Sequence, residues 1–119
     1  MFPENPYKEV AAYSYWRGIA ALETKRLDDA VMHLSRAVAF APRHDNARYR
    51  LGRALMATGN DDVARGCFLQ VLENDKEHFL ANVFMHDICK KQGDAEGAMR
   101  YLSEAKRIHP DSGSIGRRE

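Results

Sequence analysis

Apolar residues along the chain recur at the spacing of one helical face. Leu27, Ala30, Val31, Leu34, Ala37 and Val38 mark one such stretch, which runs from about Leu27 to Phe40 and stops before Pro42. Asn5-Pro6 ahead of it opens an earlier helix, from about Tyr7 to Thr24, because Asn is a good cap and Pro at a first helical position loses no useful N–H. The pattern then returns. Asp45 is expected to cap a helix carrying Ala47, Leu51, Ala54 and Leu55, Thr58-Gly59-Asn60 turns the chain, and Asp61 to Glu73 forms the next helix. A third round has Ala81, Met85, Ile88 and Cys89, the turn Gln92-Gly93-Asp94, a helix from Ala95 to Ile108, and Pro110. No strand pattern is visible.

The rounds are copies of one unit. Gly18 and Gly52 stand 34 residues apart, and Ala30, Ala64 and Ala98 keep that period, as do Leu34, Phe68 and Leu102, then Ala37, Val71 and Ala105. Pro42 and Pro110 follow it, with Lys76 between them. A fixed period of this length means a stack of like units, none able to bury its apolar face alone. The recurring residues have physical roles: small ones let the two helices of a unit approach, and Leu34, Phe68 and Leu102 fill the space that they frame. Gly59 and Gly93 suit a left-handed helix C-terminus.

This pattern resembles the tetratricopeptide repeat (TPR). Residues 11–44, 45–78 and 79–112 form three such units, with a small residue on the first helix of the first two (Gly18, Gly52) and, in all three, an Ala on the second helix and an aromatic or Leu four later. The chain departs from the family pattern at Arg17 (usually Leu), His86 (usually small) and Lys76 (usually Pro). The resemblance implies an all-α domain over residues 1–112, a short right-handed superhelical stack, and a flexible tail at 113–119. It also implies that the first helices line a concave groove that binds a peptide or partner helix, as in adaptors and chaperones. The groove positions by register are Tyr15, Trp16 and Ile19, then Asn46, Tyr49, Arg50 and Arg53, then Leu80, Val83, Phe84 and Asp87. A family subclass grips the C-terminal carboxylate of heat-shock chaperones with Lys, Asn and Arg. Here Tyr15, Ile19, Arg50, Leu80 and Phe84 occupy those places, so that clamp is missing. The residues suit an apolar or amphipathic segment with an acidic residue facing Arg50 or Arg53. Each has a structural reading too: Tyr15 and Trp16 as a cover for the N-terminal end, Arg50 and Arg53 as a solvated face. Phe84 reads as groove-lining because Ala81, Met85 and Ile88 already fill the core positions of its helix.

Family members usually end with an extra helix over the last repeat. Asp111-Ser112-Gly113-Ser114-Ile115-Gly116 makes a poor one, which points to a bare patch at Met99, Tyr101 and Ile108 and to self-association into a homo-oligomer. A truncated array and a polar-capped monomer are the competing explanations. Lys106, where the earlier units carry Val38 and Leu72, supports the polar cap.

Composition narrows the function further. The chain is 45% hydrophobic and 29% charged with a formal net charge of +1, so no global field favours nucleic acid or membrane. No apolar run approaches a membrane span, and no leader chemistry opens the chain, which points to a cytoplasmic home. Cys67 and Cys89 have no metal-like spacing and read as reduced buried thiols. His44, His78 and His109 sit near turns, too far apart to share a metal, and His86 with Cys89 supplies two ligands only. No phosphate loop, nucleophile elbow or activated thiol is present. The expectation is a binding module with no catalytic residue, cofactor or metal. Its rival is a structural element that self-associates through its C-terminal repeat.

Overall fold

A computed structural model describes residues 4–111 and contains six α-helices there: α1 (Lys8–Glu23), α2 (Leu27–Phe40), α3 (Asp45–Ala57), α4 (Asp61–Asn74), α5 (Phe79–Lys91) and α6 (Ala95–Ile108). No strand occurs among the described residues. Six helices fit three helix-turn-helix repeats. The expected tail at 113–119 lies outside the described residues. The chain divides into two compact units, residues 1–67 and 68–119, with the boundary inside α4.

In the first unit α1 packs along α2, and α3 packs on α2 while touching α1. Much of this core is alanine: Ala11, Ala21, Ala30, Ala37, Ala47, Ala54 and Ala64 are all buried. Small side chains bring backbones together, and Gly18 shows how closely. A Cβ there would lie 2.6 Å from both Cγ and Cδ2 of Leu34, itself fully buried. The Leu34 side chain therefore occupies the volume that Gly18 leaves open.

The helix-to-helix turns are built alike. Arg26, Asn60 and Asp94 each donate a backbone N–H five residues back, to Ala21, Leu55 and Cys89. The residue before each adopts positive φ: Gly59 at 84°, Gly93 at 77°, and Lys25 at 60°. This geometry satisfies carbonyls that the helix end orphans, and glycine adopts it without a Cβ penalty. Lys25 is the exception. Left-handed backbone costs an L-residue about 1–2 kcal/mol, while glycine loses roughly 0.5–1 kcal/mol in chain entropy. Lys25→Gly is therefore expected to stabilise the protein by about 0.5–1 kcal/mol, read as a higher midpoint in urea unfolding. A lower midpoint would contradict it.

The helix starts correct two expectations. Asp45 does not cap α3; it is the first helical residue, and the cap is His44, whose Nδ1 accepts the Ala47 N–H at 3.1 Å. His78 does the same for α5, accepting from Ala81 at 3.0 Å. An imidazole nitrogen can replace the usual cap oxygen because only a lone pair aimed at the third residue is needed. Asn5 likewise is not the cap of α1, which is Tyr7 with no side-chain bond. Asn5 Oδ1 accepts the Tyr7 N–H at 2.9 Å while Nδ2 donates to the Phe40 carbonyl at 2.6 Å, tying the start of α1 to the end of α2.

In the second unit α5 packs against α6. Phe68, Val71, Ala81, Met85, Ile88, Cys89, Ala98 and Ala105 are buried. Phe68 and Phe84 stack with centroids 5.6 Å apart. His86, which replaces a small residue in the repeat, is taken inside with only 4% exposure. Gly97 leaves room for the Asp94 carboxylate, which caps α6, and for Cys89 Sγ, 3.0 Å from where a Cβ would stand.

Candidate functional site

The first unit holds a hollow of about 350 Å³ beside α1, α2 and α3. Ile19, Leu22, Leu27 and Ala57 give it apolar walls, and Arg50, Arg53 and Glu23 supply charge. Three groove positions expected from the repeat register, Ile19, Arg50 and Arg53, thus line one cavity. Leu22 was legible as the next residue on the Ile19 face of α1. Leu27 and Ala57 were not, because they arrive from the start of α2 and the end of α3.

Aromatic side chains behind the hollow set its arginines. Arg50 Nε donates to the Tyr15 hydroxyl at 3.2 Å. Tyr15 is buried, its ring 5.2 Å from Trp16 and 4.6 Å from the His44 imidazole. The Arg53 guanidinium sits 5.9 Å from the centre of the Tyr49 ring. Tyr49 is buried too, and burial pushes its phenol above the ordinary range while Arg53 and Arg50 pull the other way. Tyr15 and Tyr49 therefore act as supports behind the arginines and not as an open lining. Asn46 is exposed at the start of α3 but does not line the cavity, and Trp16 stands 65% exposed on α1.

The third-repeat candidates divide in the same way. Val83 is buried in a core cluster with Ala105, Phe79 and Leu102, so it is not an open lining residue. Phe84 is half-buried and stacked on Phe68; the expectation that its helix had no core role left for it is corrected by that stack. Leu80 is exposed and Asp87 half-buried.

The second unit has a larger hollow, about 550 Å³, beside α5 and α6. Ala95, Ala98, Met99 and Leu102 form its apolar part, with His86, Gly93, Lys90 and Lys106 around them. His86 Nδ1 lies 2.9 Å from the Ala98 carbonyl, a pure acceptor, so Nδ1 carries the proton. Nε2 is buried and makes no hydrogen bond. Met99 is 70% exposed here. Tyr101 and Ile108 do not join it. Tyr101, two residues along α6 and so on its other side, lines a separate depression under the Arg100 guanidinium, 5.1 Å from its ring centre. Ile108 is half-buried at the end of α6. The three do not form one patch.

Burial raises the Cys67 thiol above its ordinary range, against a smaller opposing pull from Arg48, so the nucleophilic thiolate is disfavoured. Among the described residues, no three His, Cys, Asp or Glu side chains come together as metal ligands. No described helix is long and apolar enough to cross a membrane.

The tetratricopeptide repeat family model matches residues 21–82, just over half of the chain. The chain belongs to the tetratricopeptide repeat family. Three solved TPR structures illustrate its likeness. YrrB, a TPR protein with an unusual peptide-binding site, is 25% identical and superposes with a TM-score of 0.86 over 91% of this chain. This chain spans only 56% of YrrB. The Arabidopsis OM64 TPR domain is 14% identical, with a TM-score of 0.88 over 92% of this chain and 91% of its own. The first TPR of Spaghetti (RPAP3), bound to the HSP90 peptide SRMEEVD, is 11% identical, with a TM-score of 0.88 over 93% of this chain and 88% of its own. The last two likenesses concern the fold alone. No curated protein sequence matches significantly. The TPR family is one of protein-interaction scaffolds rather than enzymes.

Proposed function

We propose that this TPR chain is a protein-interaction module, an adaptor or chaperone of the cytoplasm, that holds a short segment of a partner in the hollow between α1, α2 and α3. The observation that carries this reading is the convergence of Ile19, Arg50 and Arg53 on one cavity. Its walls take an apolar side chain, and two guanidiniums against one carboxylate favour an acidic residue beside it. Arg50 is held by Tyr15, which lowers the entropy lost on binding. YrrB, a TPR protein with an unusual peptide-binding site, gives the reading its precedent.

The test is peptide-display selection followed by fluorescence anisotropy. Selected peptides are expected to combine apolar and acidic residues. Arg50→Glu/Arg53→Glu should weaken them at least about thirtyfold, since truncating anchor residues of an interface costs about 2 kcal/mol or more. The peptide SRMEEVD is expected to bind poorly, because Tyr15, Ile19 and Arg50 stand at clamp positions. Peptides that bind the charge-reversed variant as tightly as wild type would remove this site. A second reading, self-association through the C-terminal repeat, is supported by the exposed Met99 and the apolar hollow around it.

A further inference from the structure

The solvent face of α1 carries a load unlike that of an ordinary surface. Tyr13 and Trp16, one helical turn apart, are 61% and 65% exposed. They lie opposite the buried Ala11, Ser14, Gly18 and Ala21. Helical geometry places Glu9, Tyr13, Trp16, Ala20 and Glu23 in one stripe about 80° wide and ~21 Å long, and all five are exposed. The stripe reads acid, aromatic, aromatic, small, acid, with the exposed Arg17 guanidinium beside it, 6.0 Å from the centre of the Tyr13 ring.

The hollow beside α5 and α6 reads as its complement. Lys90, Ala95, Met99, Leu102 and Lys106 give cation, three apolar side chains, cation. The α6 part is ~17 Å long, with Lys90 beyond Ala95 on the end of α5. The first unit shows how such a face is covered. Leu27, Val31, Leu34 and Val38 of α2 hold the repeat positions of Ala95, Met99, Leu102 and Lys106, and α3 packs on α2. With lysines at both ends, the α6 face selects a helix flanked by acids. The chain's own Arg117-Arg118 segment carries the wrong sign.

The geometry points to a head-to-tail contact between two copies of this chain, in which the α1 stripe of one lies in the α5–α6 hollow of the other. Tyr13 and Trp16 rest on Met99 and Leu102, and Glu9 and Glu23 meet the two lysines. The contact rests on the second reading above and adds the surface that the C-terminal repeat meets. Because the two faces differ, it is heterologous, and each copy has one of each to offer.

Sedimentation velocity of the full chain, from low micromolar to several hundred micromolar at low salt, tests it. The mass is expected to rise above the monomer with concentration and to fall back as salt screens the charges. Met99→Glu and Trp16→Ala should each weaken association by about tenfold or more, with circular dichroism unchanged. Glu9→Lys/Glu23→Lys should weaken it, and adding Lys90→Glu/Lys106→Glu should restore it. A chain monomeric throughout overturns both the contact and the reading beneath it. Association lost in Met99→Glu but indifferent to every α1 change overturns this pairing alone; association indifferent to Met99→Glu overturns both.

Discussion

Phe68→Ala is expected to cost about 3–5 kcal/mol, the range for truncating a fully buried aromatic. Phe68 is among the largest fully enclosed side chains, and it stacks on Phe84 at 5.6 Å. The methyl of alanine would leave a cavity whose walls collapse only partly, because the adjoining core is close-packed. A domain of this size has about 5–15 kcal/mol of stability in total, so the loss is a large share of it. Thermal unfolding followed by circular dichroism should show a midpoint lower by roughly 10–20 °C. Phe84→Ala, at a half-buried position, should cost clearly less. Equal losses at the two positions, or a shift of only a few degrees at Phe68, would show that the stack is not organised around it.

Leu34→Ala is expected to cost about 2–5 kcal/mol, and the size of that cost should depend on Gly18. Leu34 is fully enclosed and fills the space over Gly18. Gly18→Ala alone should cost about 1–3 kcal/mol, because its new methyl meets Leu34 Cγ and Cδ2 in a core with no slack. In the double variant the clash is gone and the methyl occupies part of the vacated volume. The two changes together should therefore cost at least about 1 kcal/mol less than their sum. A double-mutant cycle from urea denaturation reads this directly. Strict additivity would mean that Gly18 serves something other than the approach of Leu34.

Some of these features were legible in the chain itself. The helices α2 and α6 run over the expected residues because their apolar period is regular and Pro42 and Pro110 follow them. Gly59 and Gly93 marked their turns. The same turn at Lys25 could be found only by counting back one repeat, since no local signal announces a left-handed lysine. The histidine caps at His44 and His78 carry no signal in the sequence, because histidine is an uncommon cap and, at His44, the commoner aspartate stands one residue later. At the candidate site the repeat register nominates Ile19, Arg50 and Arg53, which line one cavity, and equally Tyr49 and Val83, which are buried.

Periodicity, proline and glycine in the one-dimensional chain were enough to determine six helices in three like pairs, because those signals act through local backbone geometry and the spacing of an apolar face. Which groove positions are open was decided in three dimensions. Val83 and Leu80 sit on the same helix at neighbouring register positions, yet one lies against Ala105 and Leu102 while the other meets solvent. Exposure is set by what packs across from a side chain, and that neighbour comes from a distant part of the chain, as Leu27 and Ala57 do at the arginine-lined hollow.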